Sequence, residues 1–290
     1  MIIRRVCIFA HYDKNDYVDE YVYYYLKELL KIVDDLVFVT VSKIKKDDVD
    51  RLRNLNIKII QRENIGYDFY SYKVGIDYLE LDKHDELILC NDSVYGPFVS
   101  LENIFHTMLN QECDFWGITA SESISYHLQS YFLVFKSSLL HSQSFKDFWN
   151  DVEILDDKTE IIKKYEVGLS QFLLKNNFHH SVYINNVKYT VTKSDNIKRL
   201  VKRVIKAPYK ILKLILFPQQ YWKALKKKNI NVSLLYWDKL LLEQKMPFLK
   251  KSLFSNIHEK KENLKKLSML KDSISTYPLI LITNHIERIL

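Results

Sequence analysis

Apolar and polar positions fall in alternating blocks along the first two thirds of the chain. Val6 to Ala10 is a short apolar run with strand character, and Asp16 to Ile32 spaces its aromatic and aliphatic residues as a helix does. Leu36 to Ser42 alternates as a strand, Lys46 to Leu55 is a polar helix, and Ile57 to Gln61 is a further strand. A turn then leads to a helix over Tyr70 to Leu79 and a strand over Leu87 to Cys90. Beyond Pro97 the pattern predicts helices at Leu101 to Asn110, Ser144 to Trp149 and Val167 to Lys175. It predicts strands at Asp114 to Thr119, Tyr131 to Phe135 and Ser181 to Ile184. Strand and helix in alternation imply an α/β fold with parallel strands joined by right-handed crossovers. Leu234 to Phe254 reads as an aromatic-rich helical stretch returning onto this body, and His258 to Lys271 as a charged helix or a mobile tail.

The stretch Glu86 to Pro97, ELILCNDSVYGP, organises the rest. A run short enough to be a buried strand ends abruptly in Asn91-Asp92-Ser93 and a Tyr-Gly-Pro turn. In open α/β sheets the C-terminal strand ends are where ligands bind. A carboxylate flanked by an amide and a hydroxyl suits a hard cation, a ribose or a sugar hydroxyl; the simpler alternative is an Asx-type turn capped by Asp92. Polar groups recur at the other strand exits. His11 and Asp13 follow the first strand, Ser42 the second, and Arg62, Glu63, Asn64, Gly66 and Asp68 the third. Asp13 and Asp68 also suit helix N-caps. Together these positions outline a crevice for a polar, phosphorylated ligand.

Composition narrows the class. Hydrophobic residues make up 47% of 290, which excludes a disordered chain, and only five glycines occur, so Gly66 and Gly96 in polar turns are informative. Cys7, Cys90 and Cys113 lie in or beside apolar segments without metal-ligand spacing, as structural thiols of a reducing compartment do. The first apolar run is too short for a signal peptide, and no window approaches a membrane span of ~20 apolar residues.

The net charge of +7 is local. Eleven of the 43 basic residues lie between Ile197 and Trp237, where no acidic residue occurs, leaving 32 basic against 36 acidic residues elsewhere. That distribution argues against a nucleic-acid groove across the fold. Apolar Ile197, Leu200, Val201, Val204, Ile205, Leu212 and Ile215 keep helical spacing opposite the lysines and arginines, with Pro208 between. Such a helix suits an anionic membrane surface, or else packs on the protein and solvates its charges. The chain divides into a body over 1–195, a basic amphipathic segment over 196–228 and a C-terminal extension over 229–290.

Five ordered blocks carry a family resemblance: RENIGYDFYSYKVGI (Arg62 to Ile76), ELILCNDSVYGPF (Glu86 to Phe98), DFWGIT (Asp114 to Thr119), SYHLQSYFLVFK (Ser125 to Lys136) and EVGLSQFL (Glu166 to Leu173). They resemble the rhamnan synthesis protein F family of bacterial polysaccharide assembly, and LLYWDKLLLEQKMPFLKKSLF resembles its C-terminal signature. The resemblance implies an A-type nucleotide-diphospho-sugar transferase, Rossmann-like and mostly parallel, with a C-terminal helical extension.

It further implies a nucleotide-sugar donor, with rhamnose on thymidine diphosphate as the specific expectation, and a lipid-linked glycan acceptor at the cytosolic face of the plasma membrane. In such transferases an acidic motif after the fourth strand binds ribose and a divalent cation, Mg or Mn. Asn91-Asp92-Ser93 holds that place with one carboxylate where two are usual, so Asp92 would be the metal ligand with little help. Asn64, Gly66, Asp68 and Lys73 resemble the donor-side turn and helix. Glu166 is the candidate base, with a first-turn glutamate serving the helix dipole as the alternative. His127 and Gln129 are candidate sugar or acceptor contacts, and Trp116 a candidate stacking ring or a core tryptophan. The competing reading is a non-catalytic assembly subunit that binds glycan or a partner transferase.

Overall fold

The computed structural model describes residues 3–184, 231–271, 274 and 277–289. The basic segment at 196–228 and the expected boundary at 195 lie outside them. A seven-stranded sheet forms the centre. It contains β1 (Arg5–His11), β2 (Asp35–Thr40), β3 (Lys58–Gln61), β4 (Glu86–Asn91), β6 (Phe115–Gly117), β9 (Phe132–Lys136) and β10 (His180–Val182) in the order β10-β6-β9-β4-β1-β2-β3. β9 runs antiparallel to both β4 and β6, while the remaining pairs are parallel, so the expected α/β class and mostly parallel sheet are observed. Short pairs add β5 (Val94–Tyr95) against β11 (Leu249–Lys250), and β7 (Ala120–Ser121) against β8 (His127–Leu128).

Burial on both faces explains why the central strands read as continuous apolar runs. Cys7, Phe9, Leu36, Phe38, Ile88 and Cys90 enter one core, and their alternating neighbours Val6, Ile8, Val37, Val39, Leu87 and Leu89 enter the other. The first core receives α1 (Glu20–Leu29), which buries Tyr21, Val22, Tyr25, Leu26 and Leu29 at helical spacing. α2 (Lys46–Asn54) contributes Leu52 to the same side. The second core receives α3 (Tyr67–Tyr78) through Phe69 and Tyr72. α4 (Leu101–Leu109) belongs to the first face, and α5 (Gln143–Asn150) to the second.

Two corrections concern helices. The expected helix at Val167 is longer: α6 comprises Lys158–Ile161, a π-helical turn Ile162–Val167, and Gly168–Lys175, so Glu166 lies inside it rather than at its start. The stretch at Leu234 to Phe254 is helical only in part. After α7 (Trp237–Glu243) it extends into β11 and a tight turn at Lys251–Phe254, because Phe248 and Leu249 are buried against the sheet side of β5. α8 (Ile257–Met269) and α9 (Ile280–Arg288) follow. Trp237, Leu240, Met246, Phe248, Ile282 and Ile286 belong to the first core, so the C-terminal segment completes that face.

Candidate functional site

The C-terminal ends of the parallel strands open onto a cavity of about 340 Å³, lined in part by His11, Tyr12, Asn64, Gly66, Tyr67 and Asp68. His11 closes β1, and its Nδ1 shares a 2.9 Å hydrogen bond with Thr40 Oγ1 at the end of β2. Burial pushes its pKa down against the pull of Asp92, which keeps the imidazole neutral. Tyr12 beside it is 47% exposed.

The cavity lip is a turn held in an uncommon shape. Gly66 (φ +69°) and Tyr67 (φ +52°) are both left-handed, and a Cβ on Gly66 would meet Tyr70 Cβ at 2.6 Å. For Tyr67 this conformation costs about 1 kcal/mol or more. Arg62 offsets it by threading its guanidinium under the turn. Nη1 donates to Glu63 O at 2.9 Å and Ile65 O at 2.5 Å, and Nη2 to Tyr67 O and Ser71 Oγ, each at 2.7 Å.

Asp68, one residue into α3, accepts a 2.9 Å hydrogen bond from Asn91 Nδ2 at the end of β4. Its carboxyl keeps some surface open to the cavity, yet the surrounding protein desolvates it, and nearby Asp92 adds repulsion. Together these raise its pKa to about 7 against the weaker opposing pull of Lys251 and Lys158. The oxygen Oδ1 of Asn91 is taken by Ser93, through its N at 3.1 Å and its Oγ at 2.5 Å. Asp92 is buried and paired: Lys251 Nζ lies 2.8 Å from Oδ2, and Tyr21 OH donates to the same carboxylate at 3.4 Å. A hard cation needs several free oxygen ligands. Asn91 Oδ1 and Asp92 Oδ2 present none without first losing these partners, and among the described residues no group of three or more His, Cys, Asp or Glu ligand atoms gathers at Asp92, so the residues present do not fit the expected Mg or Mn centre.

Glu166 projects from the π-helical turn of α6, a local geometry frequent at functional sites. Its Oε1 accepts from Ser130 N at 3.0 Å and Ser130 Oγ at 2.9 Å. Lys250 is within electrostatic reach: burial lowers its pKa to about 8, and Glu166 partly restores it.

The family model described as rhamnan synthesis protein F matches residues 36–234. The chain belongs to that family. Virulence protein VirA of Vibrio anguillarum is 30% identical over 201 residues, which cover 67% of this chain and 61% of VirA. The uncharacterized protein y4gN of Sinorhizobium fredii is 30% identical over 154 residues, covering 50% of this chain and 40% of that protein. The chain thus spans less than two thirds of the length of these curated relatives. Among solved structures, S. aureus TarS residues 1–349 in complex with UDP superposes with a TM-score of 0.41 at 19% identity, over 62% of this chain and 57% of that one. A cytidylyltransferase from Leptospira borgpetersenii does so with a TM-score of 0.39 at 13% identity, over 72% and 96%.

Against the family's blocks, the structure gathers some of the expected residues and sends others elsewhere. His11, Asn64, Gly66 and Asp68 line the cavity; behind Asp68, Asn91 is hydrogen-bonded to it and in turn holds Ser93, while the charge of Asp92 acts on Asp68. Asp13 instead turns to Arg288 of α9, and Ser42 clasps the Asp13 backbone, accepting from its N at 2.8 Å and donating to its O at 2.9 Å. Asp13, Asp19 and His285 bring ligand atoms within 4.8 Å of one another, but the Arg288 guanidinium already bridges both carboxylates.

Lys73 pairs with Asp77 one turn along α3, at 2.7 Å. Trp116 is a core residue: at 1% exposure between Phe105 and Phe132 it has no face to offer a sugar, because β6 is covered on that side by α4. Gln129 is a buried strut whose Oε1 accepts from Thr119 Oγ1 at 2.7 Å and Ser233 Oγ at 3.3 Å. His127 is also buried, with Nδ1 donating to Ser125 O at 2.8 Å. The residues that sequence reading missed are Tyr12, Ser130, Lys250 and Lys251. Tyr12 sits in the same strand exit as His11 and Asp13, but the lysines lie in a stretch that reads as helix.

Proposed function

We propose that the chain transfers a sugar from a nucleoside-diphosphate donor onto a growing polysaccharide. The observation that carries this reading is a cavity at the strand ends lined by His11, Gly66 and Asp68, with the hydrogen-bonded carboxylate of Glu166 near enough for its charge to act on Asp68. Membership in the rhamnan synthesis protein F family supports polysaccharide synthesis as the setting. In its finer form the donor is dTDP-rhamnose and the acceptor a lipid-linked glycan at the cytosolic face of the membrane, reached through the basic stretch 197–228.

The reaction balances as a displacement. The acceptor hydroxyl oxygen bonds to the anomeric carbon, and the bond from that carbon to the diphosphate oxygen breaks with its electron pair leaving on the diphosphate. The hydroxyl proton passes to Glu166. Ser130 fixes the carboxylate through two donors to one oxygen, which leaves the proton to the other. Tyr12, exposed at the cavity mouth, offers a ring against which a base can stack.

The test is a transfer assay with a panel of nucleotide sugars, dTDP-rhamnose included, and lipid-linked acceptors. Glu166→Gln should lower kcat by about 100-fold or more while nucleoside-diphosphate binding stays within about twofold of the parent. A folded protein that binds no nucleotide and transfers no sugar would leave the non-catalytic assembly subunit as the better reading.

A further inference from the structure

Close enough to the cavity wall for its charge to act on His11 and Asp68, the chain holds a cation of its own. Lys251 follows β11, whose register sets Lys250 opposite Val94, and Lys251 N donates to Ser93 O at 2.9 Å. The ammonium is thereby delivered next to the residue that follows Asp92. Its anchorage is firm: Phe248 and Leu249 are fully buried, and Gly96 (φ +141°) lets the Pro247 carbonyl and Phe248 ring approach closer than any Cβ would allow. A lysine ammonium has three donors. Asp92 Oδ2 and Tyr21 OH, each at 2.8 Å, engage two of them. The group is still 27% exposed, and its charge is felt at both His11 and Asp68 on the cavity wall.

We propose that Lys251 supplies, from within the chain, the positive charge that a divalent cation would bring to Asp92, so that the nucleoside diphosphate is held without a metal. This rests on the donor-site reading above. The third ammonium donor goes to a diphosphate oxygen, and Asp92 acts as a positioning residue that keeps the lysine aimed. Lys250, one residue earlier on β11, brings a second cation toward Glu166. As the anomeric bond breaks, the charge gathering on the leaving diphosphate meets a fixed ammonium rather than water.

Calorimetric titration with UDP and dTDP decides it, in EDTA and again with MgCl2 or MnCl2, on the wild-type chain, Lys251→Met, Lys251→Arg and Asp92→Asn. Wild type should bind one nucleotide equally well, within about twofold, in EDTA and with cation. Lys251→Met should lose about tenfold or more in affinity, the usual worth of a hydrogen bond to a charged group, and Lys251→Arg should retain most of it. Asp92→Asn should weaken binding less than Lys251→Met. Binding by wild type only with a divalent cation overturns the inference and leaves the donor reading standing. Undiminished binding by folded Lys251→Met overturns it as well. No binding under any condition overturns both. The wild-type comparison in EDTA needs no variant to fold.

Discussion

Asp68 shows how a single residue carries both a site and a cost. Its folded pKa of about 7 exceeds the ordinary aspartate value of 3.8, so the folded state holds a proton that the unfolded state has released across that interval. Stability from this group therefore declines as pH rises from about 4 to 7 and is level above. Asp68→Asn removes the penalty while keeping a partner for Asn91. Its melting temperature should exceed that of wild type at pH 8, by an amount equivalent to at most about 4 kcal/mol, and the two should converge near pH 4. The carboxyl's opening to the cavity places the actual gain below that ceiling. A difference independent of pH would mean that the carboxyl is not desolvated. The position of Asp68 was legible in the sequence, because it follows a strand exit; its altered acidity was not, because its causes, burial first and then repulsion from Asp92, 24 residues on, arise only when the fold packs around it.

At the scale of elements, the strands were legible and the turns were not. β1, β2 and β4 announce themselves as apolar runs because both faces are buried, and helices α1 to α4 keep their spacing. β5 and β11 are two residues each and have no pattern of their own; only long-range pairing creates them, which is why Lys251 reads as helical surface until Ser93 stands opposite. The turn after β3 is a further case. Its glycine is visible in the sequence, but the left-handed Tyr67 and its support by Arg62 are not. A lysine at 62 would keep the charge and lose the planar fork that reaches four acceptors. Arg62→Lys should lose about 1–3 kcal/mol in denaturant unfolding, with faster amide hydrogen exchange confined to residues 63–70 and weaker nucleotide binding. Unchanged exchange in that turn would show that the loop holds its shape without the guanidinium.

For the whole molecule, the closing contact joins the two ends of the described chain. Arg288 of α9 bridges Asp13 and Asp19, and beside it His285 Nδ1 shares a 2.6 Å hydrogen bond with Tyr95 OH while Nε2 lies 3.7 Å from Asp19. Burial lowers the pKa of His285 to about 4; Asp19 and Asp13 pull it up, while Lys251 and Arg288 push it further down. A histidine whose folded pKa lies below the unfolded 6.5 must stay neutral in the fold, so stability falls as pH drops from about 6.5 toward 4. Asp13 behaves in the same direction at lower pH. Burial opposes its ionisation, but hydrogen bonds from Arg288 and from the amides of Asn15 and Tyr17 prevail and hold its pKa below the usual value, so its contribution is lost below about pH 4.

Arg288→Ala leaves two close carboxylates with no cation between them, and should destabilise the protein by about 2–4 kcal/mol at pH 8. Without the guanidinium, Asp13 and Asp19 favour protonation of His285, which then replaces part of the missing charge as pH falls. The loss measured by guanidinium denaturation should therefore be smaller at pH 5.5 than at pH 8, and the His285 titration observed by NMR should move upward. A loss equal at both pH values, with His285 unmoved, would assign the role of Arg288 to packing over Tyr17, whose ring lies 5.0 Å from its guanidinium carbon, rather than to the charge it brings.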